Sequence, residues 1–108
     1  MTYWETVHQE EMVGFTIKLE VTHETELPDW YFESELERTE LIEQINNGSM
    51  LWFAAKVSAS KCDIELATDY LDGCCYKDID EFINDGYYND LVHNVITTAK
   101  QKIIDLAY

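Results

Sequence analysis

The clearest pattern in the chain is a strict alternation of apolar and polar residues from Val13 to Thr22. A period of two is typical of a β-strand with one buried face, because successive side chains point to opposite sides of a sheet. The pattern therefore predicts a first strand whose buried face carries Phe15, Ile17, Leu19 and Val21.

A first helix is predicted from about Glu35 to Asn47. Ser34 precedes Glu37 by three residues, the spacing at which a hydroxyl and a carboxylate cap the free backbone N–H groups of a helix start. The segment from His23 to Asp29 is polar and contains the only proline, so it is predicted to be a loop. The predicted core face of the helix consists of Leu41, Ile42 and Ile45.

The next two strands are predicted to form an antiparallel hairpin. The segment from Met50 to Ser60 is rich in aromatic and β-branched residues, and the segment from Ile64 to Tyr70 repeats an extended pattern. The connection between them is predicted at residues 58–61, and the pair Asp72-Gly73 predicts a turn after the second strand.

Two helices are predicted in the last third of the chain. Asp78 is a suitable N-cap for a short helix from Ile79 to Asn84, which Gly86 would break. The final segment has the strongest helical period in the chain, and it is expected to cover the sheet. Its apolar side carries Tyr88, Leu91, Val92, Val95, Ile96, Ala99, Ile103 and Leu106.

These elements predict an α+β domain. Their order is β-α-β-β-α-α, which implies a three-stranded, mostly antiparallel sheet with its helices packed on one face. A chain of 108 residues fits one domain, 1–108, because two separate cores of half that size would each bury too little apolar surface.

Charge changes this picture of an ordinary small domain. The chain has 22 acidic and seven basic residues, a net charge of −15, whereas a small soluble domain needs a net charge of magnitude only about 2 to 8. The segment from Glu20 to Glu43 carries nine acidic residues and one base, and so does the segment from Asp63 to Asp90. We therefore expect the carboxylates to form one negative face if these two segments lie side by side.

The sequence contains no recognisable catalytic or metal-binding motif. Isolated glycines and histidines match neither a phosphate-binding loop nor a paired-histidine metal site, and Ile83 occupies the glycine position of a calcium loop that would start at Asp78. We expect no enzyme activity, no cofactor and no metal. Direct binding of nucleic acid is disfavoured as well, since a negative surface repels phosphate.

Location and redox state are also predicted. The sequence has neither a run of about 20 apolar residues nor a secretion signal, so we expect a cytoplasmic protein without a membrane partner. Cys62, Cys74 and Cys75 match neither a disulfide framework nor a zinc site and are expected to be reduced and partly buried. A redox or metal-sensing pair at Cys74-Cys75 is the less favoured alternative.

The acidic face can be interpreted as a solvated coat that serves solubility, as a site for divalent metal, or as an imitation of a polyanion. Proteins that hold nucleic acid use tracks of Lys and Arg, for which a stiff array of carboxylates can compete. In size, charge and composition the whole chain resembles the small acidic inhibitors that bacterial viruses and mobile elements make against host defence nucleases. The resemblance implies an anti-defence protein, but no motif is matched and no site residue is transferred.

The sequence thus predicts a non-enzymatic inhibitor that imitates DNA phosphates and occupies the basic channel of a nucleic-acid-binding protein or complex. Aromatic residues beside the carboxylates would serve as anchors, since Tyr and Trp are enriched in protein interfaces. The alternative is a structural or adaptor domain that forms a homodimer through an apolar helix or a strand edge. The predicted partner-binding residues are Glu33, Glu35, Glu37, Glu40, Asp72, Asp78, Asp80, Glu81, Trp30 and Tyr31.

Overall fold

A computed structural model describes residues 3–24 and 34–107. The predicted α+β class is confirmed, although the sheet has four strands in the order β1-β2-β3-β4, all antiparallel, where three were predicted. Within the described ranges the elements are β1 (Glu5–Met12), β2 (Phe15–His23), α1 (Glu35–Asn46), β3 (Leu51–Lys61), β4 (Ile64–Tyr76), α2 (Ile79–Asn84) and α3 (Tyr87–Ala107).

The strand that the sequence pattern did not predict is β1. It pairs with β2 from Glu5 opposite Val21 to Met12 opposite Phe15. All of its residues are exposed or half-buried, so no apolar side marks its period of two. The predicted element order is therefore wrong at its start, and the described elements run β-β-α-β-β-α-α.

The turn between β3 and β4 lies further along the chain than predicted. Cys62 and Asp63 occupy it with φ angles of 54° and 63°, and a two-residue hairpin turn with both central residues at positive φ matches the right-handed twist of the strands. Residues 58–61, predicted as the connection, belong to β3.

The predicted turn at Asp72-Gly73 is a bulge inside β4. Leu71 pairs with Ala55 and Cys74 pairs with Phe53, so Asp72 and Gly73 together face a single residue of β3. Gly73 has a φ of 68°, which glycine adopts without the steric cost of a Cβ atom. The bulge lets β4 continue to Tyr76 and bends the strand at Asp72 and Gly73.

The core lies between one face of the sheet and the helices α2 and α3. Phe82 of α2 is fully buried and packs edge-on against Phe53 and Tyr76, with ring centroids 5.5 and 5.2 Å away. The short helix and its cap are confirmed, because the Asp78 Oδ1 atom accepts a hydrogen bond from the Glu81 N–H at 2.8 Å. The largest fully buried side chains are Phe53, Phe82, Ile17, Leu19, Val57 and Val95.

The apolar side of α3 is only partly buried. The predicted positions from Tyr88 to Ala99 pack into the core, but Ile103 and Leu106 are 37% and 81% exposed. Residues 100–107 are exposed throughout. The last two turns of α3 thus leave an apolar surface uncovered within the described part of the chain.

The helix α1 does not contribute to the core. Its predicted cap is confirmed, since the Glu37 N–H donates to the Ser34 Oγ atom at 3.2 Å. None of its 12 residues, all of them described, is buried, and Leu41, Ile42 and Ile45 are half-buried. The prediction of a core face on this helix is therefore wrong, because charged and polar residues surround too few apolar ones for a buried stripe.

The second face of the sheet carries a mixed charged and aromatic cluster. Glu20, Lys56 and Tyr70 stand side by side on β2, β3 and β4. The Lys56 Nζ atom lies 3.6 Å from the Glu20 Oε1 atom and 5.0 Å from the centre of the Trp4 ring. One of the seven basic residues is thus committed to a contact on the sheet.

Candidate functional site

The outer surface of α1 carries one part of the predicted acidic face. Glu35, Glu37 and Glu40 are all exposed. Glu37 and Glu40 are three residues apart, so they lie on neighbouring positions about 4.5 Å apart along the helix axis. This spacing is of the same order as the axial repeat of about 3.4 Å per charge on one DNA strand.

The second part lies on the bulge of β4 and on α2. Asp72, Asp78, Asp80 and Glu81 are all exposed. The last three stand at the start of α2, where negative side chains interact favourably with the free N–H groups of the helix end. Their local role is therefore to stabilise α2, and their carboxylates still face solvent.

A groove lies at the end of β4 that carries the bulge, and its described lining consists of Leu41, Trp52, Leu71, Asp72, Gly73, Cys74, Cys75, Tyr76 and Tyr87. Its volume is about 520 Å³. Leu41 comes from α1 and Asp72 from β4, so the groove is lined by one residue of the first acidic segment and by residues of the second. Glu24 directly follows β2 and belongs to the first acidic segment. Its Oε1 atom accepts a hydrogen bond from the Gly73 N–H at 3.4 Å.

Titration of the groove residues reflects this concentration of negative charge. Burial, followed by the charges of Asp72 and Glu24, raises the pKa of Cys74 from 9.0 to about 12. Burial and then the charge of Glu81 raise the pKa of Cys75. Both thiols are thereby kept protonated, the opposite of what a nucleophilic or metal-binding cysteine needs.

The adjacent cysteines do not form a geometric pair either. Cys74 stands opposite Phe53 on the core side, whereas Cys75 stands opposite Trp52 on the other side of the strand. Cys62, Cys74 and Cys75 are free thiols. The geometry argues against the redox or metal-sensing alternative. Cys74 is buried and Cys75 is half-buried, whereas Cys62 is exposed, so the prediction of partial burial is wrong for Cys62.

Most carboxylates of the predicted site have no counter-charge within the described part of the chain. The ion pairs there join Arg38 to Glu35 at 3.5 Å, Lys56 to Glu20, and His8 to Glu10. None involves Glu37, Glu40, Asp72, Asp78, Asp80 or Glu81. These exposed carboxylates thus form no ion pair among residues 3–24 and 34–107.

The structure does not gather every acidic residue at this place. Asp63 and Glu65 lie at the hairpin tip, and β4 runs for 13 residues from that tip to Tyr76, a length of about 40 Å. The second acidic segment is therefore divided between the two ends of the sheet. Of the predicted site residues, Trp30, Tyr31 and Glu33 lie outside the described residues.

A half-buried polar cluster was missed by sequence reasoning. The Glu10 Oε2 atom lies 2.6 Å from the His8 Nε2 atom and accepts a hydrogen bond from the Tyr88 hydroxyl at 3.2 Å. Burial and then the charge of Glu10 raise the pKa of Tyr88. The contact joins β1 to α3. Sequence patterns could not reveal it, because β1 has no amphipathic pattern and was not predicted as a strand.

Comparison with known proteins supplies no relative. No protein-family model matches the chain, and neither curated proteins nor solved structures gave a significant match. Within residues 3–24 and 34–107 there is no group of three or more His, Cys, Asp or Glu side chains placed to hold a metal ion. In the same ranges no helix has the length and apolar character needed to cross a bilayer.

Proposed function

We propose that this protein is a non-enzymatic inhibitor whose carboxylates imitate nucleic-acid phosphates and occupy the basic channel of a nucleic-acid-binding protein. The observation that supports the proposal is that parts of the two acidic segments lie close together: Leu41 and Asp72 line one groove, and Glu24 accepts a hydrogen bond from the Gly73 N–H. Glu37, Glu40 and Asp72 are outside the ion pairs of the described residues. A simple solvated coat requires no such convergence.

Regular secondary structure holds the carboxylates in place. The carboxylates stand on α1, α2 and β4 rather than on a flexible tail, so less side-chain and backbone freedom is lost when they bind. A net charge of −15 would also steer the protein towards a positive channel and make association fast and dependent on salt. The partner is a basic complex such as a host defence nuclease, met in the cytoplasm.

The predicted site residues outside the described ranges belong to the same proposal. Trp30, Tyr31 and Glu33 directly precede α1 in the sequence. Aromatic anchors at the edge of an acidic surface would add residence time to an encounter that charge makes fast.

The test is competition for DNA. A fluorescent duplex is bound to each of a panel of purified DNA-binding nucleases and complexes, the protein is titrated in at several salt concentrations, and release of the duplex is followed by anisotropy. We expect release by at least one complex at low salt, weakening steeply as salt rises. No release from any complex at low salt would reject the proposal for the partners tried.

One observation favours the homodimer as a second candidate. Ile64 at the hairpin tip is 62% exposed, Val13 at the neighbouring tip is 65% exposed, and Leu106 at the end of α3 is 81% exposed. The two tips are adjacent, because a Cβ atom on Gly14 would meet the Lys61 Nζ atom at 3.4 Å. Sedimentation equilibrium of the wild type and of Leu106→Glu tests it: a dimer that the variant dissociates supports this candidate, and a monomeric wild type at high concentration excludes it.

A further inference from the structure

The groove at the end of β4 that carries the bulge differs in character from the surface around it. Its described lining includes Leu41, Leu71 and the aromatic residues Trp52, Tyr76 and Tyr87. Trp52 is 7% exposed and forms part of the floor, while Tyr87 is 54% exposed and forms part of the rim. An apolar, aromatic depression thus opens inside a negatively charged surface.

Three carboxylates lie in or next to this depression. Asp72 lines it, and Glu24 is held beside it by the hydrogen bond from the Gly73 N–H. Asp85 reaches the rim as well, since its Oδ2 atom accepts a hydrogen bond from the Tyr76 hydroxyl at 2.6 Å. No Lys or Arg is among the described lining residues.

This combination selects among possible occupants. An apolar side chain would leave the carboxylates unused, and an anion would be repelled by them. A lysine ammonium is compact and strongly hydrated, whereas an arginine guanidinium is planar, more weakly hydrated and stacks on aromatic faces while pairing with carboxylates. Arginine therefore fits both the walls and the charge of the groove.

We propose that the groove receives one arginine side chain of the basic partner, with its stem against Leu41 and its guanidinium between the Tyr87 ring and the Asp72 carboxylate. This inference rests on the proposed function, because it names the group of the partner that the acidic surface holds most tightly. Exposed carboxylates set the rate of encounter, and a half-enclosed arginine slows dissociation, since the residues that dominate binding energy sit in water-excluding pockets.

The first test uses three blocked tripeptides, acetyl-Gly-Arg-Gly-amide and its lysine and citrulline counterparts. Citrulline has nearly the shape of arginine without its charge. Each is titrated into ¹⁵N-labelled protein and the amide shifts are followed. We expect the arginine peptide to shift Gly73, Cys74 and Tyr87, the lysine peptide to bind more weakly, and the citrulline peptide to bind at least about tenfold more weakly. Equal shifts with citrulline, or shifts only at the hairpin tips, would overturn the proposal.

The second test compares matched variants. Tyr87→Ala removes the exposed ring and should weaken the arginine peptide about threefold to tenfold, whereas Tyr87→Phe should retain binding. Tyr70→Ala is the control, because Tyr70 is similarly exposed at 57% but lies on the second sheet face.

A second matched pair of variants tests the contribution of charge to binding of the arginine peptide. Asp72→Asn should weaken the peptide by a factor of about two to five, and Asp63→Asn, which removes the same charge from the hairpin tip, should change it less than about twofold. Equal losses in the two members of either pair would show that the groove is not the site.

The DNA-release and peptide-binding experiments distinguish a failure of the arginine site from a failure of polyanion imitation. If the wild type releases DNA from a complex but the arginine peptide does not bind, the groove is not an arginine site and polyanion imitation stands. If the peptide binds in the groove but DNA is not released from any complex at low salt, the arginine site stands and polyanion imitation fails.

Discussion

The Cys74 thiol provides a sensitive test of the environment inferred for the groove. It is 3% exposed, its Sγ atom donates to the Leu71 carbonyl oxygen at 3.4 Å, and its pKa of about 12 results first from burial and then from Asp72 and Glu24. We predict that this thiol is inert in the folded protein and reacts normally once the protein is unfolded.

The size of the effect follows from the fraction of thiolate. At pH 8 a thiol with the ordinary pKa of 9.0 is about 10% ionised, and one with a pKa of about 12 is about 0.01% ionised. Because the thiolate is the reactive species, its smaller fraction alone slows the folded protein by up to about 1000-fold, and the greater intrinsic nucleophilicity of a thiolate of higher pKa reduces this to no less than about 30-fold. Restricted access to a buried sulfur can only increase this ratio.

The assay uses Cys62→Ser/Cys75→Ser, which leaves Cys74 as the single thiol, and an aromatic disulfide reagent whose release is coloured. Rates are measured at pH 8 with and without denaturing urea, and the folded rate is repeated with Asp72→Asn added. Since burial is the first cause of the shift, neutralising Asp72 should accelerate the reaction less than about tenfold. A folded rate of the same order as the unfolded rate would refute the reasoning.

Three other predictions concern the fold and its pH range. Phe82→Ala should lower the free energy of unfolding by about 3–5 kcal/mol, because it opens a cavity beneath α2. A loss below about 1 kcal/mol in urea unfolding would contradict this packing. Ser34→Ala should lower the stability of α1 by about 1 kcal/mol, because the helix loses its N-cap. Amide exchange in that helix should become faster while the global urea midpoint stays unchanged. A shifted midpoint would show that α1 belongs to the core. The pKa values of Tyr76 and Tyr88 are raised in the fold, so their contribution is complete below the unfolded pKa of about 10 and is lost as pH rises towards the folded values. The raised pKa values of Cys74 and Cys75 act in the same direction above their ordinary value of 9.0. Stability should therefore start to fall above about pH 9 and fall more steeply above about pH 10, and a flat profile from about pH 8 to pH 11 would exclude the linkage.

The parts of the fold that the sequence predicted are those with a local chemical signal. Ser34 and Asp78 cap their helices as expected, because a side-chain oxygen at the start of a helix meets the free N–H groups whatever the rest of the chain does. The alternation around Ile17 and Leu19 also marked a real buried face. The α+β class followed from these elements without further information.

The errors arose where pairing and packing override local pattern. β1 has no continuous apolar face, although Val7 packs against the core, and only pairing with β2 defines it. Asp72-Gly73 is a turn sequence that the pairing of β4 with β3 converts into a bulge. The end of α3 has the right period, but Ile103 and Leu106 stay exposed, which no sequence window can show.

The sequence indicated which residues of the candidate site are acidic, but it did not indicate how the fold arranges them. Charge counting identified α1 and the region from Asp72 to Glu81 as acidic, yet it could not show that Leu41 and Asp72 line one groove or that Asp63 stands at the other end of β4. The aromatic lining of the groove comes from β3, β4 and α3, and only the fold brings these segments together.

The most direct test of polyanion imitation is the salt dependence of DNA release with and without two charges on α1. Glu37→Lys/Glu40→Lys reverses two exposed carboxylates outside the core, and urea unfolding checks that the fold is retained. If these groups imitate phosphates, the variant should release DNA from a susceptible complex only at much higher concentration, and the slope of log affinity against log salt should become shallower by about 1 for each phosphate-like carboxylate removed. An unchanged midpoint and an unchanged slope would contradict the role proposed for the acidic surface of α1.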